Sequence, residues 1–146
     1  MEAVPGVALL HPAPASAAAL VALNDLWIRN HAPAWIGGKL SGLGIAFLLP
    51  VVLAAAGEWI SWLFARLERR PWRPPGRGLR LAACAAAALY GAAMELVPGF
   101  GVFHAAWLSA SLPCLSFRSG TADPTDLCCL LAVPLAYLHL GRVRRG

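Results

Sequence analysis

Seven charged side chains stand in or beside apolar stretches of this chain: Asp25, Arg29, Lys39, Glu95, Arg118, Asp123 and Asp126. Carboxylates next to lysine or arginine bind phosphate and ammonium groups, and a carboxylate with a perturbed pKa moves protons. Each also has a plainer structural role. Asp123-Pro124-Thr125-Asp126 places an acceptor, a proline and an acid in the order that starts a helix, which makes Asp123, Pro124 and Thr125 a candidate cap. Asp25 and Arg29 are spaced to pair on one helix face. Lys39 follows Gly37-Gly38 and has the reach to snorkel to headgroups. Arg118 suits a lipid phosphate or a carboxylate equally. Glu95 lies three residues before Pro98 and Glu58 lies between tryptophans, where it is expected to reach the interface or meet Arg66 or Arg69. The candidate ligand-binding set is therefore Asp25, Lys39, Glu95, Arg118 and Asp126. No nucleophile elbow, phosphate loop, HExxH or paired-cysteine motif is present. Cys84, Cys114, Cys128 and Cys129 form no CxxC pair and have no histidine at ligand spacing, so they are expected to pack as small hydrophobes, with no metal and no cofactor. His104 and His139 look isolated and interfacial.

The elements that must position these residues follow from composition. Of 146 residues, 59% are apolar and 13% charged, where a soluble domain is about half apolar and a quarter charged. The solvent this composition implies is a bilayer. The expected fold is an all-α integral membrane protein, a single transmembrane domain over residues 1–146 with about four transmembrane helices. These are expected near residues 14–28, 40–65, 81–97 and 125–140, with an interfacial or re-entrant segment at 100–117 between helices 3 and 4. Pro50 is expected to kink the second helix. The alanine-rich third, from Leu81, is expected to be the most enclosed, because small residues let membrane helices approach closely.

Six arginines (Arg66, Arg69, Arg70, Arg73, Arg77, Arg80) crowd the loop 66–80 and three more (Arg142, Arg144, Arg145) lie at the C-terminal end. The positive-inside bias makes both regions cytoplasmic, so both termini are expected there. Only Trp72 interleaves with the basic residues, which argues against a nucleic-acid surface. No basic segment precedes the first apolar stretch, so no cleaved signal peptide is expected. This threading gathers all seven charges on the outer side, where unpaired charges cost about 2.5 to 3.5 kcal/mol each and mutual pairing lowers that cost.

The pattern of Asn24-Asp25, Trp35 through Gly42, Pro50 and Asp123-Pro124-Thr125-Asp126-Leu127 resembles a family of small bacterial multi-pass membrane proteins of undetermined function from high-GC, myxobacteria-like genomes. Members of that family read KLSD where this chain reads KLSG, so Gly42 replaces an acid. More remotely, Lys39-Leu40, Glu95 and the Arg118 to Asp126 stretch are similar to the VanZ-like arrangement, without its histidine after the lysine or its asparagine-glycine in the last helix. The VanZ-like resemblance implies an envelope-associated role such as glycopeptide tolerance. The expected function is binding of a polar headgroup or envelope precursor by the outward charge cluster. Its rivals are a membrane enzyme using Asp25 or Glu95 as general acid or base, and an assembly subunit docking through the alanine-rich helix. Expected partners are membrane lipids and a second copy or another membrane protein, with no nucleic acid.

Overall fold

The computed structural model describes residues 4–111 and 124–143. Among the described residues the only regular structure is helical, and three helices are long and apolar enough to cross a membrane: Trp35–Leu67, Arg77–Leu96 and Pro124–Arg142. A short 3-10 turn, Val7–Leu10, leads into α1, Pro12–Leu23. Pro12 and Pro14 do not shorten this helix as the sequence suggests, because both fall in its first turn, where backbone N–H groups have no helical partner. The His11 ring accepts from Ala13 N at 3.3 Å and caps that turn. The helix then widens to a π-turn at Asn24–Ile28 and closes with α2, Arg29–His31, so Asn24 and Asp25 lie inside a continuous helical path.

After Pro33, α3 runs Ala34–Leu67, starting well before the expected residue 40. The Gly37-Gly38 pair, read as a boundary, lies within it: a Cβ at Gly37 would stand 3.4 Å from the Arg29 backbone, so the glycine marks a close helix approach. Gly44 faces Val21 and Ala17, Gly42 faces Cys129 and Gly57 faces Leu79. Small residues on three sides of α3 admit three neighbours, and α3 contacts α1, α4 (Arg77–Leu96) and α6 (Ala132–Arg142). The alanine-rich α4 is thus the least enclosed of the three long spans, with 17% of its span buried against 28% for α3 and 33% for the last span, and α3 is the helix with neighbours on three sides. Pro50 lies inside α3 and is fully buried. The helix ends without glycine: Arg69 adopts a left-handed φ of 52° while Arg70 N donates to Ala65 O at 2.9 Å, satisfying a terminal carbonyl.

Helix α5, Phe100–Ser111, packs on α4, where the Tyr90 ring meets Phe100 and His104 edge-on. Its 12 residues reach about 18 Å, short of the ~30 Å of a hydrocarbon core. The last span begins as a 3-10 helix, Pro124–Leu131, before α6. Eight residues at ~2.0 Å and eleven at ~1.5 Å give this 19-residue segment about 32 Å of length, more than an α-helix of equal length. Pro134, the third residue of α6, lies inside this continuous segment just after the 3-10 helix gives way to the α-helix.

Contacts fix the directions: Val21 and Arg29 lie against Gly44 and Gly37, Leu79 against Gly57, and Leu130 and Arg80 against Gly91 and Gly141. Successive long segments are thus antiparallel. One end, the arginine end, collects the start of α1, the end of α3, the start of α4 and the end of α6. The other, the polar end, collects the π-turn, the start of α3, the end of α4 and the start of the last span. The core between them is Ala8, Val51, Ala54, Ala83, Ala136 and Leu140, with Leu9, Phe47 and Val143 packed against it.

Candidate functional site

Two of the five candidate residues, Lys39 and Asp126, are joined at the polar end by direct contact. Lys39, in the second turn of α3, donates from Nζ to Asp126 Oδ1 at 2.7 Å and to Thr125 Oγ1 at 2.9 Å. The two side chains of this pair are 29% and 28% exposed, so the ions meet at the rim of the bundle and not in its core. Lys39 thus reaches across to the last span instead of only snorkelling to the headgroups. Thr125, expected as part of a cap, accepts from the lysine, and Pro124 opens the 3-10 helix. Asp123 and Arg118 lie outside the described residues.

Asp25 belongs to the adjoining half of the site. Arg29, four residues on, approaches its Oδ1 at 3.8 Å, the pairing that the spacing suggests. Asp25 Oδ1 also accepts from Ser41 Oγ at 2.9 Å, which links the π-turn to α3. The Asn24 side chain is completely buried and its amide nitrogen donates to Gly37 O and to Ser41 Oγ, both at 2.7 Å. The amide orientation is determined by these neighbours, since reversing it would set its oxygen against the Gly37 carbonyl. The Asn24 oxygen is left buried without a donor.

Asn24 and Ser41 are therefore members that charge-based reading misses. The available signal was a neutral amide inside an apolar run, a group that must find partners where water is absent. The π-turn supplies the geometry: a local extra residue per turn carries both Asn24 and Asp25 toward α3.

Glu95 is half-buried in the last turn of α4. One turn earlier, Gly91 packs on Leu130, and Asp126 lies about one turn before Leu130, so the antiparallel register sets Glu95 level with Asp126. The polar end thus brings Asp25, Lys39, Glu95 and Asp126 to one level, with three carboxylates against the two cations Arg29 and Lys39 among the described residues. Cys129 adds a weak contact from Sγ to Lys39 O at 3.5 Å. Gly42 lies close against this cysteine: a Cβ there would stand 2.8 Å from Cys129 Sγ, so a larger side chain would require a shift.

Two side chains expected elsewhere turn inward. Glu58 is 4% exposed and accepts from Gly6 N at 2.8 Å, tying the N-terminal turn to α3. His139 is not isolated: it packs edge-on to His11 with ring centroids 4.8 Å apart, and its Nε2 lies 3.2 Å from Ala8 O. Among the described residues no three metal-ligating side chains converge. What the polar end offers chemically is a side-by-side cation and anion, partly open to the outside and braced by neutral hydrogen bonds. Set against family models, curated proteins and solved structures, the chain finds no match in any of the three.

Proposed function

We propose that this chain is a multi-pass protein of the bacterial inner membrane with both termini cytoplasmic, and that its outward polar end binds the polar headgroup of a lipid or a lipid-linked envelope precursor. In this reading the π-turned first helix is the fourth span, and α5 lies at the outer interface. The observation that carries the binding role is the Lys39–Asp126 pair, two opposite charges 2.7 Å apart and each more than a quarter exposed. A fixed dipole of that kind complements a headgroup that itself carries phosphate and a hydrogen-bond donor. Lys39 and Arg118 bind the phosphate, while Asp25, Glu95 and Asp126 orient the cations and receive the donors.

Phosphatidylethanolamine added to the purified protein in a neutral detergent is the direct probe. It should raise the Tm of the wild type and raise it much less in Lys39→Gln and Glu95→Gln, with membrane insertion unchanged. Equal stabilisation of wild type and both variants would overturn the reading. The threading is tested separately by a cysteine placed at Arg73, which an impermeant maleimide should label only after the inner membrane is opened.

A second reading, an assembly subunit, draws on the exposed face of α4. Ala82, Ala85 and Ala86 are exposed on this weakly buried helix, and small residues turned to lipid leave unused the close packing they permit. A cysteine at Ala85 that forms a dimer crosslink in native membranes would support it.

A further inference from the structure

At the arginine end, α4 and α6 diverge around a cleft of ≈ 200 Å³ lined by Arg77, Arg80, Tyr137, Leu138, Gly141 and Arg142. We propose that this cleft is a specific site for the phosphate of an anionic phospholipid, distinct from the polar-end site and independent of its reading.

Four observations converge. Three arginines line one small cavity, and among the described residues none of them has an ion-pair partner. The Arg80 side chain does not simply extend toward the headgroups as an isolated snorkelling arginine does. Its Cζ lies 5.6 Å from the Tyr137 ring centroid, so the aromatic face of α6 fixes the plane of the guanidinium. Gly141 makes room for it: a Cβ there would stand 2.9 Å from Arg80 Nη1, so a larger residue would push the guanidinium away from the α6 backbone. The Arg80 Nε is buried without an acceptor, which leaves a positioned cation short of a counter-charge.

The chemistry of the lining selects the ligand. Planar guanidinium forks match phosphate oxygens, and basic pockets between helices at the cytoplasmic face suit anionic headgroups. A cavity below the ~300 Å³ of ordinary small-molecule pockets accommodates a phosphate with its glycerol and little more. Leu138, 55% exposed, forms an apolar part of the lining, which favours a phosphate carried by a lipid over one free in solution.

Native mass spectrometry of the full chain released from neutral detergent, with phosphatidylglycerol or phosphatidylcholine added, tests the assignment. The wild type should retain one phosphatidylglycerol in preference to phosphatidylcholine. The variant R77Q/R80Q/R142Q should bind phosphatidylglycerol about a hundredfold more weakly, whereas R66Q/R69Q/R73Q, with the same loss of charge, should change it less than about threefold. Should the first triple variant fail to fold, R142Q alone, at an exposed position, should weaken binding about fivefold. Equal weakening in both triple variants would reduce the effect to diffuse surface charge and overturn the site. Displacement of phosphatidylglycerol by equimolar glycerol phosphate would overturn the lipid as the source of the phosphate.

Discussion

The two ends of this molecule use charge in opposite ways. At the polar end the charged groups are engaged with one another and with neutral partners across helices: Lys39 with Asp126 and Thr125, Asp25 with Arg29 and Ser41, Asn24 with Ser41 and Gly37. At the arginine end seven arginines of the described residues face two glutamates, and one of those, Glu58, is turned inward to Gly6. Contacts between different helices fix their register, so the polar end holds α1, α3 and the last span at one height. Excess charge of one sign ties no helix to another, and in the proposed threading the arginine end sets how the chain sits in the lipid. Substitutions that fall on helix contacts should therefore cost stability, and substitutions among the exposed arginines should not.

The largest effect is expected where α1 and α3 touch below the polar network. A Cβ at Gly44 would collide with Val21 Cγ2 and lie 3.4 Å from Ala17 O, so Gly44→Leu must separate two helices and should cost about 3 kcal/mol in denaturant titrations in detergent. Asn24→Leu comes next. It keeps the volume and removes two donors from a site with no access to solvent, for about 1.5 kcal/mol. A cycle through Lys39→Met, Asp126→Ala and their double variant should give a coupling of about 1 kcal/mol, because the pair is only partly buried. A coupling near zero would make the polar end as loose as the arginine end and erase the contrast.

How much of this was legible in the sequence follows from the range of each signal. The helical membrane class was legible, because it depends only on long apolar runs, as was the Asp25–Arg29 pair, which needs only a four-residue spacing. The convergence of Lys39 on Asp126 depends on residues 87 apart in sequence, and pattern alone marks both as candidates without saying that they touch. The enclosed helix was misplaced because alanine content was read as packing. On α4 part of the alanine face is exposed, while glycines spread around α3 decide where neighbours come close. The role of Asn24 was hidden by the π-turn, since a change of helical pitch moves a side chain to a face that a 3.6-residue period does not assign to it. Proline position decides its effect: Pro12 and Pro14 occupy the first turn of α1, where they start the helix, whereas Pro50 and Pro134 lie inside continuous helical segments.

The smallest effect should fall at the arginine end, and it sharpens the comparison most. Arg70 pairs with Glu68, two residues away in the same turn, with side chains 70% and 51% exposed. The pair links no two helices, and both groups are well hydrated if it breaks. Arg70→Ala should therefore change stability by less than about 0.5 kcal/mol, in contrast to the Lys39–Asp126 cycle. Raising salt from low to molar concentration should leave that small value near zero and reduce the Lys39–Asp126 coupling only in part, since partly buried pairs are screened less. Equal salt sensitivity in the two pairs would show that both lie in the same aqueous environment, and the division between a register-setting end and a lipid-facing end would then have no electrostatic basis.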